Sequence, residues 1–374
     1  MNRIMEERLF TIFHDLHNCP ERGWEETQTT AYLVEFLQNE GLEPQTFSDM
    51  TGLYVDIGKG GPTVGFRTDI DALWQEVDGT FQANHSCGHD GHMTVALGVL
   101  LRLKEELTSG AVRVIFQPAE ETGQGAKAIA ETGIIDSLTY LYGAHVRPIA
   151  ELNDGTYAPA IQHGAAKMIQ GEIQGTEAHG ARPEEGINSI EVASALVEAL
   201  KRIWIASSAS GSVKLTQLEA GGTSGNIVPG NASFRIDMRA RENETMTKLT
   251  EGLEKAIDSV TALYGATITT TITAQMAAAQ TDMHAQSILQ QAIKDVAGEK
   301  AKAEAIVTPG GEDFHFYPSM KPDLRTTMLG IGCGVSPGLH HPEMTFNLKR
   351  IPVAVEIITR TLLLTLQQTQ GTET

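Results

Sequence analysis

A chain of 374 residues exceeds what one hydrophobic core usually serves, so two domains are expected. Its 41% hydrophobic and 20% charged content is that of an ordinary soluble globular protein, and no apolar run reaches membrane-spanning length. The formal net charge of −19 argues against nucleic acid or an anionic membrane as a partner, since both demand basic patches.

The N-terminus, Met1 to Arg8, is charged and lacks the apolar core of a signal peptide, which points to a cytoplasmic enzyme. Apolar spacing predicts helices over 4–17 and 26–39, the second stopped by Gly41. Strands follow at 53–57 and 63–67, and the second runs into Asp69 and Asp71. Next comes His85-Ser86-Cys87-Gly88-His89-Asp90-Gly91-His92, three histidines, a cysteine and an aspartate that lead into an apolar helix over 90–107. A strand at 112–116 runs into Glu120-Glu121, a short helix spans 126–132, and a strand at 138–145 ends on His145. Strands alternating with helices predict an α/β sheet, and ligands of such sheets gather at strand C-terminal ends.

From about residue 165 the order becomes β-α-β-β-α-β: strands at 168–173, 213–218, 233–239 and 266–273, and helices at 187–205 and 244–264. That is a ferredoxin-like unit able to close its own core. The expected organisation is therefore a discontinuous first domain, 1–164 and 276–374, with 165–275 inserted. After the insert come a helix at 285–296, a Gly-rich loop at 308–314, a strand at 327–332, a loop carrying His340-His341, and a closing helix at 347–368.

Cys87, His89, Glu121, His145 and one of His340 or His341 are the candidate metal ligands. A thiolate, imidazoles and a carboxylate suit zinc, manganese or cobalt better than magnesium or calcium, and the donors are numerous enough for two ions. Neighbours on an extended segment point to opposite sides, so one of Glu120 and Glu121 can bind metal while the other takes a proton from water. Cys19 and Cys333 read as structural, because three sparse cysteines are no disulfide framework. The competing chemistry is a thiol hydrolase that pairs Cys87 with a histidine.

The runs FRTDIDAL, HSCGHDGH, FQPAEETGQGA, GAHV, HGARPEEGINSI, GNIVPG, GGEDFHFY and LHHPEM, spread over about 65–345, resemble the di-metal aminoacylase-type amidohydrolases. That family comprises bacterial N-acyl-amino-acid amidohydrolases, hippurate hydrolases and plant indole-acetyl-amino-acid hydrolases, relatives of zinc carboxypeptidases and dipeptidases. The resemblance implies a zinc-exopeptidase-like α/β fold, with a central mixed sheet flanked by helices and the insert serving as an α+β lid and dimerisation domain. It implies two divalent metals on Cys87, His89, Glu121, His145 and His340, with Glu120 as general base and Asp69 supporting the ligands. It implies a homodimer in which His179 reaches across to the oxyanion, Asn226 contacts the substrate amide or oxyanion, and Arg239 grips a substrate carboxylate. The substrate would be a small N-acyl amino acid, or alternatively a dipeptide. The chain departs from the family pattern at Trp74, where proline is common, at Glu184 and at Gly311.

Overall fold

The computed structural model describes residues 3–371. They divide into two compact units. One runs up to Gln162 and resumes over Gln280–Thr308 and from Asp313 onward; the other is His163–Ala279 with Pro309–Glu312.

The first unit is built on a seven-stranded mixed sheet. Its strands, in spatial order, are Gln45–Thr46, Leu53–Gly58, Ala111–Gln117, Val64–Asp69, Tyr140–Pro148, Arg325–Val335 and Tyr157–Ala158. The four from Ala111–Gln117 to Arg325–Val335 run parallel. Val64–Asp69 is buried at every position, as a strand covered on both faces must be. That is why its sequence shows no polar alternation. The helix His89–Glu106 is also almost wholly buried, and it packs on Arg3–His17 and Ile351–Gly371.

The observed elements differ from the sequence-based ones mainly at their ends. The strand expected to stop at His145 continues to Pro148. Glu26 stands at the N-cap position of the second helix, which begins at Thr27. A hairpin of Leu73–Val77 and Thr80–Asn84 was not anticipated. Its turn, Asp78-Gly79, has φ of +51° and +77°, the Asp-Gly signature of a two-residue type I′ loop. The sequence therefore carried a signal for it.

The second unit is a four-stranded antiparallel sheet, ordered Gly211–Ala220, Asn231–Ala240, Ala165–Gln174, Thr267–Met276. Ala165–Gln174 alternates buried and accessible residues, and its buried set joins a core shared with the helices Ser189–Leu200 and Asn243–Tyr264. Among the described residues no helix is long and apolar enough to cross a membrane.

Candidate metal centre

The chain turns from loop to helix at Gly88, which has φ +86°. A Cβ there would stand 2.6 Å from Cγ2 of Val146. Glycine permits this approach, and the approach brings Cys87 and His89 against the strand that carries His145. After Ala111–Gln117 the chain bends at Ala119, a non-glycine residue with φ +54°, and delivers Glu120 and Glu121. His340 also has positive φ, +65°. Its N–H donates to the Ser86 carbonyl at 2.7 Å, and Gln75 Nε2 donates to its carbonyl at 3.1 Å, so the unanticipated hairpin anchors this loop.

The first-unit residues assigned through the resemblance come together. Sγ of Cys87 lies 3.5 Å from Nε2 of His145. Nε2 of His89 lies 3.8 Å from Oε1 of Glu121 and 3.9 Å from Oε2 of Glu120. Nε2 of His340 is 3.6 Å from the same Glu121 oxygen. Cys87, His89 and His145 form one group of donors lying within 4.8 Å of one another; Cys87, Glu121 and His340 form a second. The two groups share Cys87. His341 is outside both and accepts the Glu343 N–H at 3.1 Å.

Two rings are oriented from behind. His89 Nδ1 donates to the Asp71 carbonyl oxygen at 2.9 Å, with Asp71 Oδ1 at 3.3 Å. His145 Nδ1 donates to the Val146 carbonyl at 2.6 Å. Each ring therefore turns Nε2 toward the cluster. His92 differs: Nδ1 donates to Asp69 Oδ1 at 2.8 Å, and Nε2 accepts the Val146 N–H at 2.9 Å. With both nitrogens engaged, His92 braces the cluster from outside it.

Asp69 thus contacts His92, and its Oδ2 also lies 3.9 Å from His89 Nε2, while Asp71 meets His89 at Nδ1 and accepts the Glu121 N–H at 3.0 Å. In the sequence Asp71 stands out only as an acid just past its strand. Arg67 is buried and donates to Asp69 at 2.9 Å, Gln117 at 2.8 Å and Asp313 at 2.7 Å. A lone arginine inside a strand carries no sequence signal of such a network.

The donors fit a divalent cation on three grounds. Nε2 of His89 and Oε1 of Glu121 are buried without a hydrogen-bond partner, a costly condition that coordination would relieve. Donors about 2.0–2.3 Å from one tetrahedral ion stand roughly 3.5 Å apart, which is the Cys87–His145 separation. The electrostatics also call for positive charge. Burial pushes the Glu121 carboxyl up to about 7, with His89 opposing and Asp71 adding to the rise. Burial and Glu121 push the Cys87 thiol well up. Burial disfavours a charged His89, yet Asp69 and Cys87 outweigh it and hold the ring's pKa well above the usual value. By themselves the anions draw a proton onto His89, where a dication would otherwise balance them. Elsewhere in the cluster, burial leaves His85 with both ring nitrogens unpartnered and its pKa near 4.

The other three candidate residues belong to the second unit. His179 pairs with Ile227 in a short antiparallel ladder, and the Gly180 N–H donates to the Asn226 carbonyl at 2.7 Å, so His179 and Asn226 are neighbours. Arg239 lies near the far end of Asn231–Ala240, where its Nε and Nη2 donate to Asp237, each at 2.9 Å.

Residues 65–364 match the model of Peptidase family M20/M25/M40. The chain is 29% identical to N-acetylcysteine deacetylase of Bacillus subtilis (strain 168), over 94% of this chain and 95% of that protein. It is 28% identical to N-acetyldiaminopimelate deacetylase of Limosilactobacillus fermentum, over 94% of this chain and 96% of that protein. Its fold superposes on the crystal structure of the Bacillus subtilis YXEP protein, described as a dinuclear metal binding peptidase from the M20 family. There the TM-score is 0.80, the identity 25%, and the coverage 98% of this chain and 99% of that one.

Proposed function

Because the chain belongs to Peptidase family M20/M25/M40, we propose that it hydrolyses the amide bond of an N-acyl amino acid or a related small amino-acid conjugate, as a metal-dependent amidohydrolase. The observation that carries this reading is the convergence of two donor groups on Cys87, next to a buried second glutamate. Cys87, His89, Glu121, His145 and His340 would hold two divalent cations, with zinc, manganese or cobalt best suited to the donors. Such cations polarise the amide carbonyl and lower the pKa of water toward roughly 7.

The chain's own residues supply the rest. Glu120 is buried and lies 3.9 Å from the unpartnered His89 nitrogen, so it can take the proton of the attacking water and return it to the leaving amine. Asp71, and Asp69 through His92, hold the ligand set in place. Arg239, oriented by Asp237, is a preformed fork for a substrate carboxylate. His179 and Asn226 donate to the oxyanion of the tetrahedral intermediate.

The second unit's geometry favours a homodimer. Asn231 and Arg239 are eight residues apart on one strand, roughly 26 Å, and Asn226 lies on the connection leading into Asn231. In an N-acyl amino acid the amide carbonyl and the carboxylate lie within about 5 Å of each other. One small substrate would therefore meet Arg239 of one copy and His179 with Asn226 of another. Three free cysteines, one of them in the centre, suit a reducing compartment such as the cytoplasm.

Three experiments test this. A panel of N-acetyl and N-benzoyl amino acids against free dipeptides should show turnover of the former, and Glu120→Ala should lower kcat by about 10²–10⁴-fold with metal content unchanged. Turnover confined to dipeptides would move the activity to peptidase. Mixing inactive His179→Ala and Arg239→Ala variants should restore about a quarter of parental activity, since each mixed dimer holds one complete site. No recovery on mixing would rule out a shared site.

A further inference from the structure

Glu26 is 0% exposed and occupies the N-cap of the helix Thr27–Asn39, yet its side chain does not cap that helix. Instead Oε1 accepts the Ala119 N–H at 2.8 Å, and Oε2 accepts the Thr51 hydroxyl at 2.5 Å. The segment around it is clamped. The Thr30 hydroxyl donates to the Glu26 carbonyl at 2.5 Å and accepts the Gly52 N–H at 2.9 Å. Gly23 presses on the same spot, where a Cβ would stand 3.0 Å from the Cα of Ala119.

Ala119 is the left-handed residue just before Glu120 and Glu121, in a conformation non-glycine residues rarely adopt. Its carbonyl is held locally, by the Thr122 hydroxyl at 2.9 Å and the Gly125 N–H at 3.2 Å. Its amide is held by a carboxylate 93 residues away in the chain. Carboxylates make strong acceptors for backbone N–H groups, and persistent backbone strain requires such over-determination.

We propose that Glu26 is a positioning residue: by holding the Ala119 amide it fixes the bend that aims Glu120 and Glu121 into the metal centre. The inference rests on the base and ligand roles proposed above for those two glutamates.

The test is Mn²⁺ affinity by titration calorimetry, with kcat and KM at saturating Mn²⁺, on the full chain. Glu26→Gln retains an acceptor for the Ala119 amide and should stay within about threefold of the parent in affinity and kcat. Glu26→Ala should lose affinity by about 10- to 100-fold and lose kcat with KM little changed. Adding Ala119→Gly to Glu26→Ala should recover part of both losses, because glycine adopts this φ without strain. A folded Glu26→Ala protein with parental affinity and kcat overturns the proposal, as does a loss that Ala119→Gly leaves untouched. If Glu26→Ala does not fold, Glu26→Met fills the space without an acceptor and is judged by the same results. Glu121→Ala, run alongside, separates the two readings. Parental Mn²⁺ affinity in that variant overturns the ligand assignment and this inference with it. Weakened affinity there, with none in Glu26→Ala, overturns this inference alone.

Discussion

Sγ of Cys87 stands 3.5 Å from Nε2 of His145, with both side chains buried. Distance alone would suit either a thiol–imidazole dyad or two ligands of one ion. The electrostatics separate them: burial and Glu121 push the Cys87 thiol up, away from the reactive thiolate a nucleophile needs. Dipicolinate should therefore abolish activity, and added Zn²⁺, Mn²⁺ or Co²⁺ should restore it. Iodoacetamide should leave the metal-loaded enzyme active. Activity that survives the chelator and falls to iodoacetamide would identify a thiol hydrolase.

Asp71 serves both the His89 ring and the Glu121 amide. Asp71→Ala removes the carboxylate and leaves only the backbone carbonyl to orient His89. Metal affinity, measured by competition with a chromogenic chelator, should fall about 10- to 100-fold, as for other partners of metal ligands. Asp71→Asn should fall less. Unchanged affinity in both variants would remove Asp71 from the support of the centre.

Arg67 is 1% exposed and binds two fully buried aspartates, Asp69 and Asp313. Arg67→Met leaves both carboxylates without their buried cation, a change that typically costs about 3–5 kcal/mol. Urea denaturation should show that loss. Destabilisation below about 1 kcal/mol would mean the network is compensated elsewhere.

Burial raises the Glu26 carboxyl from 4.5 to about 7; Thr51 opposes the rise and Asp71 adds to it. A carboxyl whose pKa is higher folded than unfolded contributes stability that is fully present below 4.5 and is lost as pH rises through about 7. The loss is on the order of 3 kcal/mol. Glu26→Gln has no such proton, so parent and variant should diverge between pH 4.5 and 7, with the parent falling more steeply. Parallel stability curves across that range, from urea midpoints, would place the Glu26 pKa near its ordinary value.

Much of this molecule was legible before its fold was known. Apolar-rich runs such as Val112 to Phe116, interrupted only by Arg113, and Met93 to Leu101 mark largely buried elements, and their alternation marks an α/β sheet. The β-α-β-β-α-β order of the second unit follows from its alternating strands and amphipathic helices. The hairpin at 73–84 was missed although Asp78-Gly79 announced it, because its strands are short and half exposed.

The sequence by itself determined the inventory of the centre: a thiol, several imidazoles and paired carboxylates, placed at strand ends and in glycine-bearing loops. It could not sort them. His92 and His145 look alike in sequence, yet the Val146 N–H occupies His92 and the Val146 carbonyl turns His145 inward. His340 and His341 are adjacent, and a positive φ with two backbone anchors brings the first to Glu121. Only the tertiary structure made Asp71 the partner of His89, Glu26 the partner of Ala119 and Cys87 the donor common to both groups. The reason is physical. Residue types and their local spacing set which donors exist, but ring orientation and convergence depend on backbone groups brought close across tens to hundreds of residues.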